Sequence, residues 1–291
     1  MIVINLNAQN KTHSHNDQHQ NKSRAHTHNH APTGGVAFGV GIGLNLIFVV
    51  VEIIYGLSAN SMSLVADAAY NAGDVVGLGL AWGAMLLAKR APSSSHTYGL
   101  RRSTIFATLM NAVLLLVAIG GVIWEAIGRL THPGSVEGGT VMIVAGLGVL
   151  INGVSALFFF RGKDHDANIK GAFLHLAADA AVSVGVVIAS FIISKTGWQM
   201  IDPIMSIVIS LVILVSTWAL FKDALNLSLD AVPGHIDLEK VKRTLAEFPN
   251  VSEIHDLHIW AMSTTEVALT AHIAVSSQDT PVDFLKTIAF Q

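Results

Sequence analysis

Six stretches of the chain are apolar almost without a break: residues 35–55, 61–87, 104–127, 139–160, 171–193 and 200–221. Each supplies the roughly 20 residues that an α-helix needs to cross the hydrocarbon core of a bilayer. Buried helices of a soluble protein would keep a polar face, and these windows lack one. The pattern predicts an all-α polytopic membrane protein with six transmembrane helices over residues 35–221. The turn at 56–60 is short enough to join the first two helices in a tight hairpin.

On either side the pattern is different. Residues 1–34 are polar and have no apolar run after Val3–Leu6, so they lack the core of a signal peptide and are expected to be a disordered, His-rich cytoplasmic tail. Beyond residue 221 the chain reads as a soluble domain, 222–291. Apolar positions at Ile236, Leu238, Val241, Leu245 and Phe248 have helical spacing after Pro233 and Gly234. Residues 251–260 and 265–275 alternate like strands, and 280–290 has the pattern of a second helix. The result is a small α-β-β-α cytoplasmic domain of the α+β class. At about 70 residues it is small for independent stability and is expected to lean on a second copy of itself.

Composition agrees with this picture and excludes two function classes. Of 291 residues, 52% are hydrophobic and 13% charged, against about 25% charged in an average soluble domain. So few charges cannot coat an ordinary cytosolic enzyme of this size. The net charge of −3 gives no cationic face for nucleic acid. Cysteine is absent, which removes disulfides, thiolate metal sites and cysteine nucleophiles. Lys and Arg fall mainly on one side of the predicted helices: Lys89, Arg90, Arg101 and Arg102 in one loop, Arg161, Lys163 and Lys170 in another. The opposite side holds only Arg129 and Lys195. The positive-inside rule then places both termini in the cytoplasm of a multi-pass protein of the cell inner membrane.

Ionisable groups inside the spans cost roughly 2.5–3.5 kcal/mol each at the bilayer centre and mark function. The second helix carries Asp67, Tyr70, Asn71 and Asp74, at offsets 0, 3, 4 and 7, all on one face. The fifth carries His175 and Asp179 one turn apart, and the first carries Asn45 and Glu52. Imidazole with carboxylate suits zinc or another divalent first-row metal, and two such pairs on facing helices would complete a four-ligand shell. The bland alternative is interhelical hydrogen bonding or a water-lined cavity. Function outweighs it for Asp74, His175 and Asp179. For Asp67, Asn45 and Glu52, nearer helix ends, the two readings balance. Asn111 and Asn152 fit interhelical hydrogen bonds better than ligation.

Several segments together resemble the cation diffusion facilitator family. They are Ser63-Leu-Val-Ala-Asp67-Ala-Ala-Tyr70-Asn71-Ala-Gly-Asp74, His96-Thr-Tyr-Gly99-Leu-Arg101, Trp124-Glu125-Ala-Ile, Ala172-Phe-Leu-His175-Leu-Ala-Ala-Asp179, Asp202-Pro203 and His255-Asp-Leu-His258-Ile-Trp260. They occur in the family's order from about residue 35 to 275. The resemblance implies a homodimer that exports zinc or a similar divalent cation (Fe, Mn, Co and Cd among them) in exchange for protons. It also implies six transmembrane helices, a metallochaperone-like cytoplasmic domain and a transport site shared between the second and fifth helices; no prosthetic group and no enzymatic activity are expected. Asp74, His175 and Asp179 match the family's site residue by residue. Tyr70 departs from it, because zinc exporters usually carry His or Asp there. A neutral phenol, with pKa near roughly 10, is a poor zinc ligand. Either Tyr70 donates a hydrogen bond and water completes the shell, or the site favours a harder ion such as Fe²⁺ or Mn²⁺.

The partners implied are divalent metal ions, protons, the lipid bilayer and a second copy of the chain, without nucleic acid. Metal binds only with His175 neutral and both aspartates ionised, so protons compete for the same groups, as an antiporter requires. The histidines elsewhere carry weaker signals. Six of the 14 lie between residues 12 and 31, a tract able to hold metal loosely or to do nothing. In the C-terminal domain His235, His255 and His272 are candidates for a regulatory metal site, against plain surface histidines, and His96 is a candidate in a cytoplasmic loop. Strand alternation would put His255 and His258 on opposite faces, unable to share an ion. His132 and His165 read as solvated. Family members usually continue into one more strand, so a chain ending at Gln291 is expected to have a shortened domain with an exposed sheet edge. The competing function is a membrane-bound metal sensor that binds without transporting. A metalloenzyme would want a base and nucleophile beside the metal, and no such motif is present.

Overall fold

A computed structural model of the protein describes residues 2–5, 35–160, 167–249 and 251–276. The histidine tract of residues 12–31, His165 and the predicted helix at 280–290 lie outside them. Six long helices follow one another: α1 (Gly35–Ser58), α2 (Met62–Ala88), α3 (Ser103–Thr131), α4 (Gly138–Phe160), α5 (Ala167–Thr196) and α6 (Ile201–Ser228). Among the described residues, α2 to α6 are each long and apolar enough to span a membrane, and α1 adds a shorter apolar stretch, Leu46–Ser58. The predicted windows and these helices share most of their lengths. The main difference is at α6, which continues seven residues beyond 221.

The chain divides into two compact units. One contains Gly34–Leu80 and Met110–Phe221, and its core joins Leu64, Ile119, Val141, Val186, Ile209 and Ile213 from five helices. Large side chains such as Val117, Leu157, Phe158 and Val215 point outward and stay exposed, as expected of faces that meet lipid rather than water. Small residues let the helices approach. A Cβ on Gly138 would come within 2.8 Å of the Ser190 carbonyl oxygen on α5, so α4 needs hydrogen there. The α1–α2 hairpin turns through Asn60, whose φ of 56° is a left-handed conformation that Asn tolerates.

Asp202, one residue into α6, organises one end of this unit. Its carboxylate accepts from Ser61 Oγ (2.6 Å), the Met62 amide (2.6 Å), Ser63 Oγ (2.6 Å) and the Ser63 amide (3.2 Å). It therefore caps the N-terminus of α2 from another helix, satisfying amides that have no intrahelical acceptor.

The second unit takes Ala81–Leu109 together with the start of the chain and the residues from Lys222 on. Its helix α7 (Leu238–Ala246) begins at Asp237, whose side chain accepts from the Glu239 and Lys240 amides. A short acidic side chain at this position satisfies two donors that the first turn leaves open and places negative charge at the positive end of the helix. Strands β2 (Val251–Ala261) and β3 (Val267–Val275) pair antiparallel, and Leu245, Ile259, Val267, Leu269 and Ala271 form the core between α7 and the sheet. The sheet has a third strand that the pattern did not predict. Ile2–Asn5, expected to belong to a disordered tail, forms β1 and pairs antiparallel with Ala268–Ala271 of β3. The strand order is β1-β3-β2, so residues 268–271 of β3 are paired on both sides.

Candidate metal site

Two helices bring the candidate ligands together. Asp74 on α2 and His175 and Asp179 on α5 each offer an atom within 4.8 Å of the others, and they are the one such group of three among the described residues. His175 Nε2 lies 3.3 Å from Asp74 Oδ2 and 3.5 Å from Asp179 Oδ2. Ligands held at about 2.0–2.1 Å in a tetrahedron stand about 3.3–3.4 Å apart, from the bond lengths usual for zinc. His175 Nε2 thus stands from each carboxylate oxygen at about the spacing of a divalent-cation shell, and the two carboxylate oxygens lie within 4.8 Å of each other. Tyr70, one turn before Asp74, sets its ring edge-on to the His175 imidazole with centroids 6.2 Å apart.

The same two helices continue the polar ladder past the cluster. Asp67 is buried, and its Oδ2 accepts from Ser183 Oγ at 3.0 Å. Glu52 on α1 is buried as well, and its Oε2 accepts from Asn71 Nδ2 at 3.0 Å. Asp67 therefore sits outside the group formed by Asp74, His175 and Asp179. Ser183 escaped the sequence reading although the signal was present: it extends the 175–179 spacing by another four residues. Asn152 is buried on α4, and Asn111 packs its amide where a Cβ on Gly77 would lie 2.7 Å away, on the α2–α3 contact. The Asn45 side chain lies outside the described residues.

The C-terminal histidines are arranged differently from the prediction. His255 and His272 are directly opposite each other in the β2–β3 pairing, and His258 is opposite Thr270. Three steps along β2 therefore match two along β3, a bulge located at Asp256, where φ is 47°. Because His272 and Thr270 are two apart and share a face, so do His255 and His258. The expected opposite orientation fails because alternation restarts at the bulge. Each member of the cross-strand pair holds its own acid: His255 Nε2 is 3.1 Å from Glu253 Oε2, and His272 Nδ1 is 3.1 Å from Asp256 Oδ2. His258 lines a hollow of about 1090 Å³ with His96, Tyr98, Arg101 and Trp260. His235 lines another, of about 580 Å³, and is not grouped with His255 or His272. Arg101 pairs with Glu266 at 2.8 Å, and Arg102 pairs with Asp230.

Comparison with known proteins covers both units. A profile described as the cation efflux transmembrane domain matches residues 39–227, and one described as the cytoplasmic domain of cation efflux proteins matches residues 233–285. The chain belongs to the cation diffusion facilitator family. Among its relatives is the metal cation efflux system protein CzcD of Cupriavidus metallidurans, 36% identical over 226 residues, which are 78% of this chain and 72% of that one. The zinc transporter ZitB of Escherichia coli is 37% identical over 230 residues, 78% of this chain and 73% of that one. A cadmium, cobalt and zinc/H(+)-K(+) antiporter of Bacillus velezensis is 32% identical over 233 residues, 79% and 74% of the two chains. Cation diffusion facilitators are transporters and not a class of enzymes.

Proposed function

We propose that this protein exports divalent metal ions, zinc first among them, from the cytoplasm in exchange for protons, through Asp74, His175 and Asp179 with Tyr70 beside them. The observation that carries the reading is the spacing of the three ligand atoms, 3.3 and 3.5 Å from His175 Nε2, in a helical unit otherwise poor in charge. A cation entering this gap needs His175 neutral and both carboxylates ionised. Protons arriving from the other side displace it by occupying the same atoms, which couples the two fluxes without a separate device.

The side from which metal loads follows from the distribution of Lys and Arg, which gives cytoplasmic termini and a cytoplasmic C-terminal domain. Domain limits at 34 and 221 separate the His-rich start, the spans and that domain, and a homodimer supplies the second copy on which so small a domain leans. Alternating access then requires the α2–α5 site to open to one side at a time.

Reconstituted vesicles with a metal dye and a pH dye inside test the site. With Asp179→Ala, metal-driven proton movement is expected to disappear while the protein remains folded; movement at the wild-type rate would refute the assignment. Metal that binds the wild type without ever crossing the bilayer would make the protein a sensor instead.

A further inference from the structure

The ladder beyond the metal cluster contains an unsolved electrostatic problem. Glu52 and Asp67 are 0% and 1% exposed, and each has one carboxylate oxygen satisfied, by Asn71 and by Ser183. The second oxygens, Glu52 Oε1 and Asp67 Oδ1, are buried with no hydrogen-bond partner. The two carboxyls are within electrostatic reach of each other and of Asp179. Among the described residues no cation is placed to balance them. Helix α1 contains no other ionisable side chain than Glu52 and Tyr55, and α4 contains none. On α2 the neighbours are Tyr70 and Asp74, and on α5 they are His175 and Asp179, all belonging to the cluster already described. The α5 lysines, Lys170 and Lys195, stand 13 and 12 residues from Ser183, about 20 and 18 Å along a helix. On α3 and α6 the charged groups lie towards the helix ends: Glu125 and Arg129 pair with each other, and Asp202 is fully engaged at the start of α2.

Two unbalanced carboxylates cannot both be ionised in such a place, because an isolated buried charge costs far more than taking up a proton. A carboxyl proton would also turn a buried, partnerless oxygen into a neutral O–H, which costs far less to bury than a charge. Asn71 and Ser183 already donate to this pair, so an oxygen-lined metal site would need both to turn away. We propose that Glu52 and Asp67 form a proton-holding pair separate from the metal ligands, which adds a proton to the exchange carried by the Asp74–His175–Asp179 site. In the step itself one O–H bond breaks at the pair, its electron pair stays on the carboxylate, and the proton passes to water on the side then open. The reverse transfer reloads the pair, and no oxidant or reductant takes part.

The inference rests on the antiport reading, so its test begins with a measurement that needs no transport. Infrared difference spectra of the wild-type protein at neutral pH should show the C=O stretch of a protonated carboxyl, lost in Glu52→Gln or Asp67→Asn and retained in Asp179→Ala. Absence of that band in the wild type overturns the proposal. In vesicles, Glu52→Gln keeps the shape and the Asn71 contact while removing the exchangeable proton. It should bind Zn²⁺ within about three-fold of wild type and move about one proton fewer per Zn²⁺. A wild-type proton-to-zinc ratio, or a ratio that shifts only when K⁺ is withdrawn, overturns the proposal, as does a loss of zinc affinity beyond about tenfold in both variants. If the band is present and Asp179→Ala still transports, the metal-site reading fails, while the proton-holding pair stands on the band and on the lost proton per Zn²⁺ in Glu52→Gln.

Discussion

Replacing Asp202 by Ala tests whether α6 holds the start of α2. The carboxylate accepts four hydrogen bonds, from two serine hydroxyls and two backbone amides, and is 1% exposed. The serines can partly recover, because Ser61 Oγ and Ser63 Oγ are only 3.2 Å apart. The Met62 and Ser63 amides cannot, and each buried, unsatisfied donor costs about 1–3 kcal/mol. Adding the lost cap at the positive end of the helix, the total comes to about 3–5 kcal/mol. At about 2–4 °C per kcal/mol for a chain of this size, the midpoint should fall by about 6–20 °C. Size-exclusion chromatography after heating the purified, detergent-solubilised protein measures this directly. Asp202→Asn, which keeps an acceptor oxygen but turns an NH₂ towards a donor, should fall between. Asp223→Ala, on an exposed residue of the same helix, should move by no more than about 2 °C. Metal affinity should stay within about tenfold, since Asp74 is 12 residues from Met62, about 18 Å along α2. A shift under about 3 °C for Asp202→Ala would refute the capping argument, and a collapse of affinity with unchanged stability would make Asp202 part of the ion path.

Tyr70→His places an imidazole one turn from Asp74, where the phenol now meets His175 edge-on; zinc should gain about tenfold over Mn²⁺ in competition uptake, and no change would mean that Tyr70 does not set selectivity. Gly148→Val tests the closeness of α1, α4 and α5, because even a Cβ there would lie 2.9 Å from both Phe48 Cζ and Ser183 Oγ. A loss of about 1–3 kcal/mol is expected in denaturant titration, and a neutral result would mean that these helices separate more readily than their packing implies. Arg101→Ala removes the 2.8 Å pair with Glu266, whose side chains remain about one-third exposed; the loss should be below about 1 kcal/mol by the same titration.

What could be read from the sequence was what local chemistry decides. Runs of apolar residues predict α1 to α6 because a membrane helix satisfies its own backbone, whatever its neighbours. Offsets of 3, 4 and 7 put Asp67, Tyr70, Asn71 and Asp74 on one face for the same reason. Two features that went unread are non-local. Ile2–Asn5 is four residues long and becomes β1 only through pairing with Ala268–Ala271, far along the chain. Asp202 beside Pro203 reads as a helix start, and nothing near it indicates that its carboxylate caps a different helix. The bulge at Asp256 is local but hidden, since an Asp with positive φ resembles any other Asp in a strand of alternating residues. One left-handed residue there puts His255 and His258 on the same face.

The ladder also has a direction that spacing alone does not carry. Side-chain exposure falls from 44% at His175 through 28% at Asp74 to 6% at Asp179, and the residues beyond, Asp67 and Glu52, are at 1% and 0%. Helices α2 and α5 run antiparallel along this gradient, so residue number rises towards the open end on α2 and falls towards it on α5. A cation would therefore meet His175 and Asp74 before Asp179, and would find the next tier closed by hydrogen bonds from Ser183 and Asn71. Passing that tier must break those bonds or move the helices that make them. On the proposed reading the stripe holds two kinds of site: an upper one, where His175 Nε2 stands at about metal-shell spacing from each carboxylate, and a lower one, whose orphaned oxygens call for protons. Metal and proton sites this close interact through the charge on Asp179, which lies between them in the ladder. Loading the metal neutralises that carboxylate's field at Asp67 and Glu52, and so favours release of the proton that the pair holds.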